Sequence, residues 1–202
     1  MSEAKRSIDE ARAHLRDCLA SEKFLSGHGL GFQLPIFVAA IEPKEDLKSA
    51  DLCQWLVRQS SQQGVSVASI DLFEVLSSFL QDQGILEELL SREESSNLPP
   101  SKLTEAIRSV VKLDELLKIK LQEITTGAAQ RALLFSGLGS VYPFFRISEL
   151  IALLENAQVR VPTIVLFPGE FMSYLHSPEL KLFSTIPEYY NYRAMDVFSY
   201  EP

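Results

Sequence analysis

The stretch Ala132-Leu-Leu-Phe-Ser-Gly-Leu-Gly-Ser-Val-Tyr-Pro-Phe-Phe-Arg146 decides the fold. Its first four residues are a continuous apolar run, which is typical of a parallel strand covered on both faces. The glycines and serines that follow predict a tight turn, and the apolar residues after Pro143 predict a helix that starts directly from the turn. A strand that leads through a glycine turn into a helix is the repeating unit of α/β proteins.

The same order recurs along the chain. Further strands are predicted at 35–41, 65–70, 161–167 and 193–198, and the one at 161–167 is expected to stop at Pro168-Gly-Glu170. Apolar residues at helical spacing fill most of the intervals. We therefore expect an α/β fold, with a mostly parallel central sheet of about five strands and helices on both faces.

Two predicted helices stand outside this alternation. Apolar residues from 8 to 19 recur at helical spacing, which indicates an N-terminal helical arm. A longer stripe runs from 103 to 124, where Leu116 and Ile119 add apolar surface on a second side, so this helix is expected to contact two neighbours. The length favours one domain over residues 1–202.

The composition argues against several classes of protein. There are 27 acidic and 19 basic residues, a net charge of −8, which disfavours general binding to nucleic acid. No apolar run approaches the roughly 20 residues that span a bilayer, and the N-terminus lacks the apolar segment of a signal peptide, so we expect a cytoplasmic protein without membrane contact. Cys18 and Cys53 fall on apolar helix positions, which indicates reduced, buried thiols.

Ligands of open α/β sheets gather beyond the carboxyl ends of the strands. This rule selects the turn with Ser136, Gly137, Gly139 and Ser140, whose amides can point together at a helix N-terminus and hold an anion. The turn lacks the Gly-Lys-Ser/Thr ending of a P-loop and the third glycine of a dinucleotide fingerprint. Two interpretations stay open: a structural turn without ligand, or a site for a nucleotide or other phosphorylated ligand in a sensor or divergent hydrolase.

Arg146 lies in the first turn of its predicted helix. A cation there faces the positive end of the helix dipole at a cost of roughly 0.3–1 kcal/mol, so a negative partner is expected. Glu170 and Asp71 are the internal candidates and are preferred over a bound anion or a partner's carboxylate. Asp71 followed by Glu74 is typical of a helix N-cap rather than of a metal ligand. Glu170 as a general base would need an apolar pocket and a second titrating group that the spacing does not supply.

Other motifs predict neither metal, nor cofactor, nor catalytic residues. The three histidines are scattered, so no zinc-type cluster forms, and no Gly-x-Ser-x-Gly elbow occurs. Near the C-terminus, Tyr190, Tyr192 and Arg193 are residue types enriched at protein interfaces, although packing under a last strand would also explain them.

Several segments resemble one family. They are Leu134–Arg146, Val161–Glu170, Leu180–Phe183 and Tyr190–Ala194, and their sequences are similar to those of the BrxB family of BREX phage-defence systems. The family's Asn-Tyr-Tyr-Arg appears here as Tyr-Asn-Tyr-Arg, which leaves the role of one tyrosine open.

The resemblance implies a small cytoplasmic protein of bacteria or archaea that acts beside a methyltransferase, an ATPase and the phosphatase-like PglZ. It implies no established catalytic activity, and it points to PglZ as the partner. A chain without a catalytic constellation fits this picture. The sequence thus predicts a non-catalytic assembly or adaptor subunit of a BREX system that binds PglZ, with the ligand-binding turn as the alternative.

Overall fold

The computed structural model describes residues 6–27, 34–87, 104–105, 107–109, 111–126, 129–173, 178–188 and 194–202. Within these ranges the strands are β1 (Ile36–Ile41), β2 (Val67–Asp71), β3 (Ala132–Ser136), β4 (Thr163–Ser173), β5 (Pro178–Leu182), β6 (Ile186–Glu188) and β7 (Met195–Asp196). The helices are α1 (Ile8–Ala20), α2 (Glu22–Leu25), α3 (Ser49–Gln62), α4 (Leu72–Asp82), α5 (Leu113–Thr126) and α6 (Ile147–Asn156), with 3-10 helices at Pro43–Lys48 and Val197–Ser199.

The strands form one sheet in the order β2-β3-β4-β1-β7, and every neighbouring pair in this row is parallel. After β1 the chain crosses to the far edge at β2 and then returns strand by strand through β3 to β4. β5 and β6 are attached to β4 as an antiparallel extension. The predicted α/β fold with a mostly parallel sheet is confirmed.

The apolar runs of the strands are buried because both faces of the sheet are covered. In β1 the residues Ile36, Val38 and Ala40 belong to a core with α4, α5 and α6, while Phe37 and Ile41 belong to a second core with α1 and α3. This division follows from the two-residue period of a strand. The predicted N-terminal helix is therefore a packed layer, because its apolar stripe faces α3.

The expected end of the fourth strand at Pro168 is wrong, since β4 continues to Ser173. Pro168 is the last partner in the parallel ladder with β1, opposite Ile41. Beyond it the strand turns to β5 for pairing, and Gly169 makes the close approach possible, because a β-carbon there would lie 2.0 Å from the carbonyl oxygen of Lys181. Proline is tolerated where the ladder changes partner, since no amide proton is needed at that position.

The sheet has seven strands rather than about five. The additional strands β5 and β6 are short and carry no continuous apolar run. β5 does alternate Glu179 and Lys181 with the buried Leu180 and Leu182, a strand pattern that the prediction did not use, whereas β6 is too short to show one. Within residues 194–198, the described part of the strand expected at 193–198, strand structure is limited to β7. The Asp196 carboxylate accepts a hydrogen bond from the Phe198 N–H at 3.0 Å, and the chain continues as a 3-10 helix.

The long helical stripe predicted at 103–124 corresponds in its second half to α5. Leu117 and Leu121 are buried in the core, and Leu116 and Ile119 lie on another side of the helix, where Ile119 is 55% exposed. The structure thus confirms that α5 has two apolar sides, but the second side, which carries Leu116 and Ile119, is only partly covered by neighbouring residues. In the part of the chain that the structure describes, no helix is both long enough and apolar enough to cross a bilayer.

The two sides of α5 differ in their contribution to stability. We expect Leu117→Ala to lower the free energy of unfolding by about 2–5 kcal/mol, because the substitution leaves a cavity at a fully buried site. Ile119→Ala on the same helix is the matched control and should change stability by no more than about 0.5 kcal/mol. Urea unfolding followed by circular dichroism measures both, and equal losses would contradict this assignment of the two sides.

Candidate functional site

At the carboxyl edge of the sheet, Asp71 and Ser136 are bound to each other. They are register partners at the ends of β2 and β3, and the Ser136 hydroxyl donates a hydrogen bond to Asp71 Oδ2 at 2.7 Å. Asp71 Oδ1 accepts from the Glu74 N–H at 2.8 Å, which confirms Asp71 as the N-cap of α4. Ser136 is 1% exposed. Its hydroxyl is therefore occupied and shielded rather than presented to a substrate.

A carboxylate of the chain itself lies against the glycine turn. The 3-10 helix that follows β1 places Asp46 there, and the Ser140 hydroxyl donates to Asp46 Oδ2 at 3.2 Å. The backbone amides of Gly139 and Ser140 lie near the same carboxyl group and act to lower its pKa. The glycine turn therefore directs backbone amides toward a carboxyl group, as its glycines suggest, but this group is the side chain of Asp46.

The two glycines of the turn are required by close packing. A β-carbon at Gly139 would lie 2.5 Å from Asp46 Oδ2, 2.8 Å from Pro168 Cγ and 2.9 Å from Phe183 Cε1. Gly137 has a φ of +74°. Its N–H donates to the Ser49 hydroxyl at 3.4 Å. The side of Gly139 on which a side chain would stand is filled by Asp46, Pro168 and Phe183.

Burial and charge act together on Asp46. Burial raises the pKa of its carboxyl group, the nearby Asp71 raises it further, and the hydrogen bonds from Ser140 and Gly139 lower it; the net direction is upward. Among the described residues, Asp46 Oδ1 has no hydrogen-bond partner. The fold therefore favours the protonated form of Asp46 more than water does.

The two cysteines are free and buried, as predicted. Burial raises the pKa of the Cys53 thiol to about 12, beside Ser136 and Asp71, and that of Cys18 to about 12 as well. Both are protonated at neutral pH and make poor nucleophiles. Over the ranges that the structure describes, no three His, Cys, Asp or Glu side chains are grouped as a metal site would require.

Arg146 is the N-cap residue of α6, one position before the predicted first turn. Its N–H donates to Glu149 Oε2 at 2.7 Å, and its guanidinium carbon lies 5.7 Å from the centroid of the Tyr142 ring. The Arg146 side chain forms an ion pair within the chain, as expected from the sequence: its Nη1 lies 3.7 Å from Glu188 Oε1. Glu188 was not among the expected partners, and the expected partner Asp71 caps α4.

Glu188 is the buried member of this pair, with 3% of its side chain exposed. Burial raises the pKa of its carboxyl group, Arg146 lowers it and Glu149 raises it, and the net direction is upward. Because β6 carries Glu188 and Arg146 is the N-cap of α6, the pair joins the antiparallel extension to the helical layer.

Four of the residues selected from the sequence are near neighbours along the chain and form one closed turn: Ser136, Gly137, Gly139 and Ser140. Glu170 lies inside β4, is 8% exposed and is opposite Lys181 of β5. Tyr190, Tyr192 and Arg193 lie outside the described residues.

The residue that sequence reasoning missed is Asp46. The rule that selects side chains just beyond each strand would have found it, because the apolar run of β1 ends at Ile41 and Asp46 follows within five positions. Glu188 had no such signal, since its strand is three residues long.

The raised pKa of Asp46 predicts a pH-dependent effect. In the unfolded chain this carboxyl titrates near an ordinary pKa of about 3.9. Above that pH the folded chain therefore retains a proton on Asp46 that the unfolded chain has lost. The contribution of Asp46 to the free energy of unfolding then falls as the pH rises through its folded-state pKa. We expect the free energy of unfolding of Asp46→Asn, relative to the original chain, to increase between pH 4 and pH 7. Urea unfolding at several pH values measures it, and a flat difference would contradict the shift.

The filled turn also predicts the outcome of ligand screening. A ligand at a hundred times its dissociation constant stabilises the folded state by about 2.7 kcal/mol. We expect ATP, GTP, NAD and inorganic phosphate at millimolar concentration to leave the melting temperature unchanged, because Asp46 occupies the anion position. A rise of several degrees with any of them would support the ligand-binding interpretation of the turn.

The comparisons with known proteins agree with one another. The family model described as BREX protein BrxB matches residues 68–197, more than half of the chain. A Bacillus cereus protein named BREX protein BrxB is 24% identical over 194 residues, which cover 95% of this chain and 98% of that protein. An Escherichia coli protein of the same name is 20% identical over 166 residues, covering 82% and 81%. No solved structure matches. The chain belongs to the BrxB family, as its glycine turn and Pro-Gly-Glu segment already suggested.

Proposed function

We propose that this chain is a non-catalytic assembly subunit of its BREX phage-defence system and that it binds the phosphatase-like PglZ component. Membership of the BrxB family gives the chain a role in a BREX system and makes other BREX components its partners. The adaptor role and the choice of PglZ are the proposal. The observation that carries it is the closure of the glycine turn by Asp46.

An enzyme with an open α/β sheet uses the carboxyl edge of the strands to hold its substrate. Here the groups at that edge are bound to one another: Ser136 to Asp71, and Ser140 to Asp46. Gly139 leaves no room for an added carbon atom. This edge fits a rigid scaffold better than a reaction chamber, and the protonated, buried thiols are consistent with that role.

A scaffold acts through its surface. Within the described residues the large apolar side chains that are exposed are Leu47, Phe73 and Ile119. An adaptor needs such side chains, since apolar anchors carry much of the binding energy of protein interfaces. Tyr190, Tyr192 and Arg193 remain candidates for the same role, and a cytoplasmic location, where the BREX components would meet, belongs to the proposal.

The partner assignment has a direct test. We expect the purified chain and recombinant PglZ of the same system, mixed at micromolar concentration, to elute together from a size-exclusion column ahead of either protein alone. Elution as two separate peaks would show that PglZ is not the partner. The mixture is also followed by light scattering, so that the mass of any complex gives its stoichiometry.

A further inference from the structure

A groove on another part of the molecule shares only Asp71 with the surroundings of the glycine turn. It lies between α4 and α5, has a volume of about 520 Å³ and reaches the last three residues of β2. Val75 and Phe79 of α4 and Leu116 and Ile119 of α5 give it an apolar lining. This is the second apolar side of α5 described above.

The groove opens along the edge of the sheet. β2 is the terminal strand, and within the described residues it pairs with β3 alone. Ser69, Ile70 and Asp71 all line the groove, although consecutive strand residues point to opposite faces. A surface that contacts all three follows the edge of the strand, and the edge of a terminal strand carries backbone N–H and C=O groups that can pair with another chain.

The charge of the groove is one-sided. Four carboxylates line it, and one ammonium group, Lys120, lies 3.5 Å from the carboxylate Glu123 of the same helix. The acidic residues are Asp71, Glu74, Asp82 and Glu123. An arriving segment would therefore be favoured by lysine or arginine and disfavoured by aspartate or glutamate.

We propose that this groove binds an extended segment of the partner protein, added as a strand beside β2, whose groove-facing side carries both apolar and basic residues. In such a segment every second side chain points to the same side, about 7 Å apart, so the residues on that side reach the α4–α5 groove while the backbone pairs with β2. Apolar residues among them contact the apolar lining, and basic residues contact the acidic rim. The assignment of this segment to PglZ rests on the function proposed above. The expected chemistry of the segment rests only on the lining of the groove.

The first test uses a peptide probe. The acetylated, amidated peptide Thr-Lys-Thr-Val-Thr-Lys-Thr, which presents its lysines and its valine on one side of an extended strand, is titrated into the isotope-labelled chain and followed by the chemical shifts of the backbone amides. We expect shifts in β2 and along residues 75–82 and 116–123. The same peptide with glutamate in place of lysine should produce none. Absence of shifts with the lysine peptide, or shifts centred elsewhere, would overturn the groove proposal whatever PglZ does.

The second test uses PglZ itself with three variants of the full chain. Ile119→Asp places a charge in the apolar lining, and Asp82→Lys reverses a charge of the rim. We expect each to weaken PglZ binding at least tenfold, with circular dichroism and melting temperature unchanged because both residues are exposed. Leu47→Asp is the matched control, since Leu47 is 86% exposed and lies outside the groove, and it should change the affinity by less than twofold.

The outcomes separate the two proposals. If the original chain does not bind PglZ while the lysine peptide binds at β2, the PglZ assignment fails and the groove stands. If PglZ binds equally to all three variants, the groove is not the docking site and this inference fails while the adaptor function stands. A complex that Leu47→Asp disrupts and Ile119→Asp does not would likewise move the interface to the carboxyl edge and overturn the inference.

Discussion

The architecture depends on the contact between Asp46 and the glycine turn. β4 lies between β1 and β3 in the sheet, so the segments that leave β1 and β3 must meet across its end. They do so where Asp46 accepts a hydrogen bond from the Ser140 hydroxyl and where Gly139, without a side chain, allows the approach of Asp46 and Pro168. The glycine turn thus fixes the segment after β1 beside the central strand, and this arrangement buries a carboxyl group whose pKa is raised.

A second ionic contact holds the periphery. Arg146 and Glu188 connect the start of α6 to the end of β6, and the pair is half exposed on the arginine side and buried on the glutamate side. Removal of the arginine would leave a carboxyl group in a poorly solvated place, which is more costly than loss of a surface ion pair. The antiparallel extension of β5 and β6 is thus attached at two places: the chain leads into it from β4, and the ion pair of Glu188 with Arg146 attaches its other end to α6.

Structural features that depend on short-range sequence patterns can be predicted from the sequence of this chain. The buried parallel strands, the cap at Asp71 and the two-sided α5 each have a local signature of burial period or residue type, and the structure confirms them. The continuation of β4 through Pro168 has none, because it depends on pairing with β5, a strand without an apolar run. Glu188 was missed for a related reason: its partner Arg146 is more than 40 residues away, and only the fold brings the two together. Asp46 follows β1 closely enough for the strand-end rule to select it, but its pairing with the distant Ser140 could not be predicted from local patterns.

β4 serves two ladders with one backbone, since its first half pairs in parallel with β1 and its second half antiparallel with β5. Side chains along a strand alternate without interruption, so the phase fixed by Ile164 and Leu166 in the centre is inherited by Glu170 and Phe171 beyond the proline. One residue gained or lost between them would exchange the inward and outward faces of the whole extension. The length of this strand is therefore under tighter restraint than the identity of most residues in it.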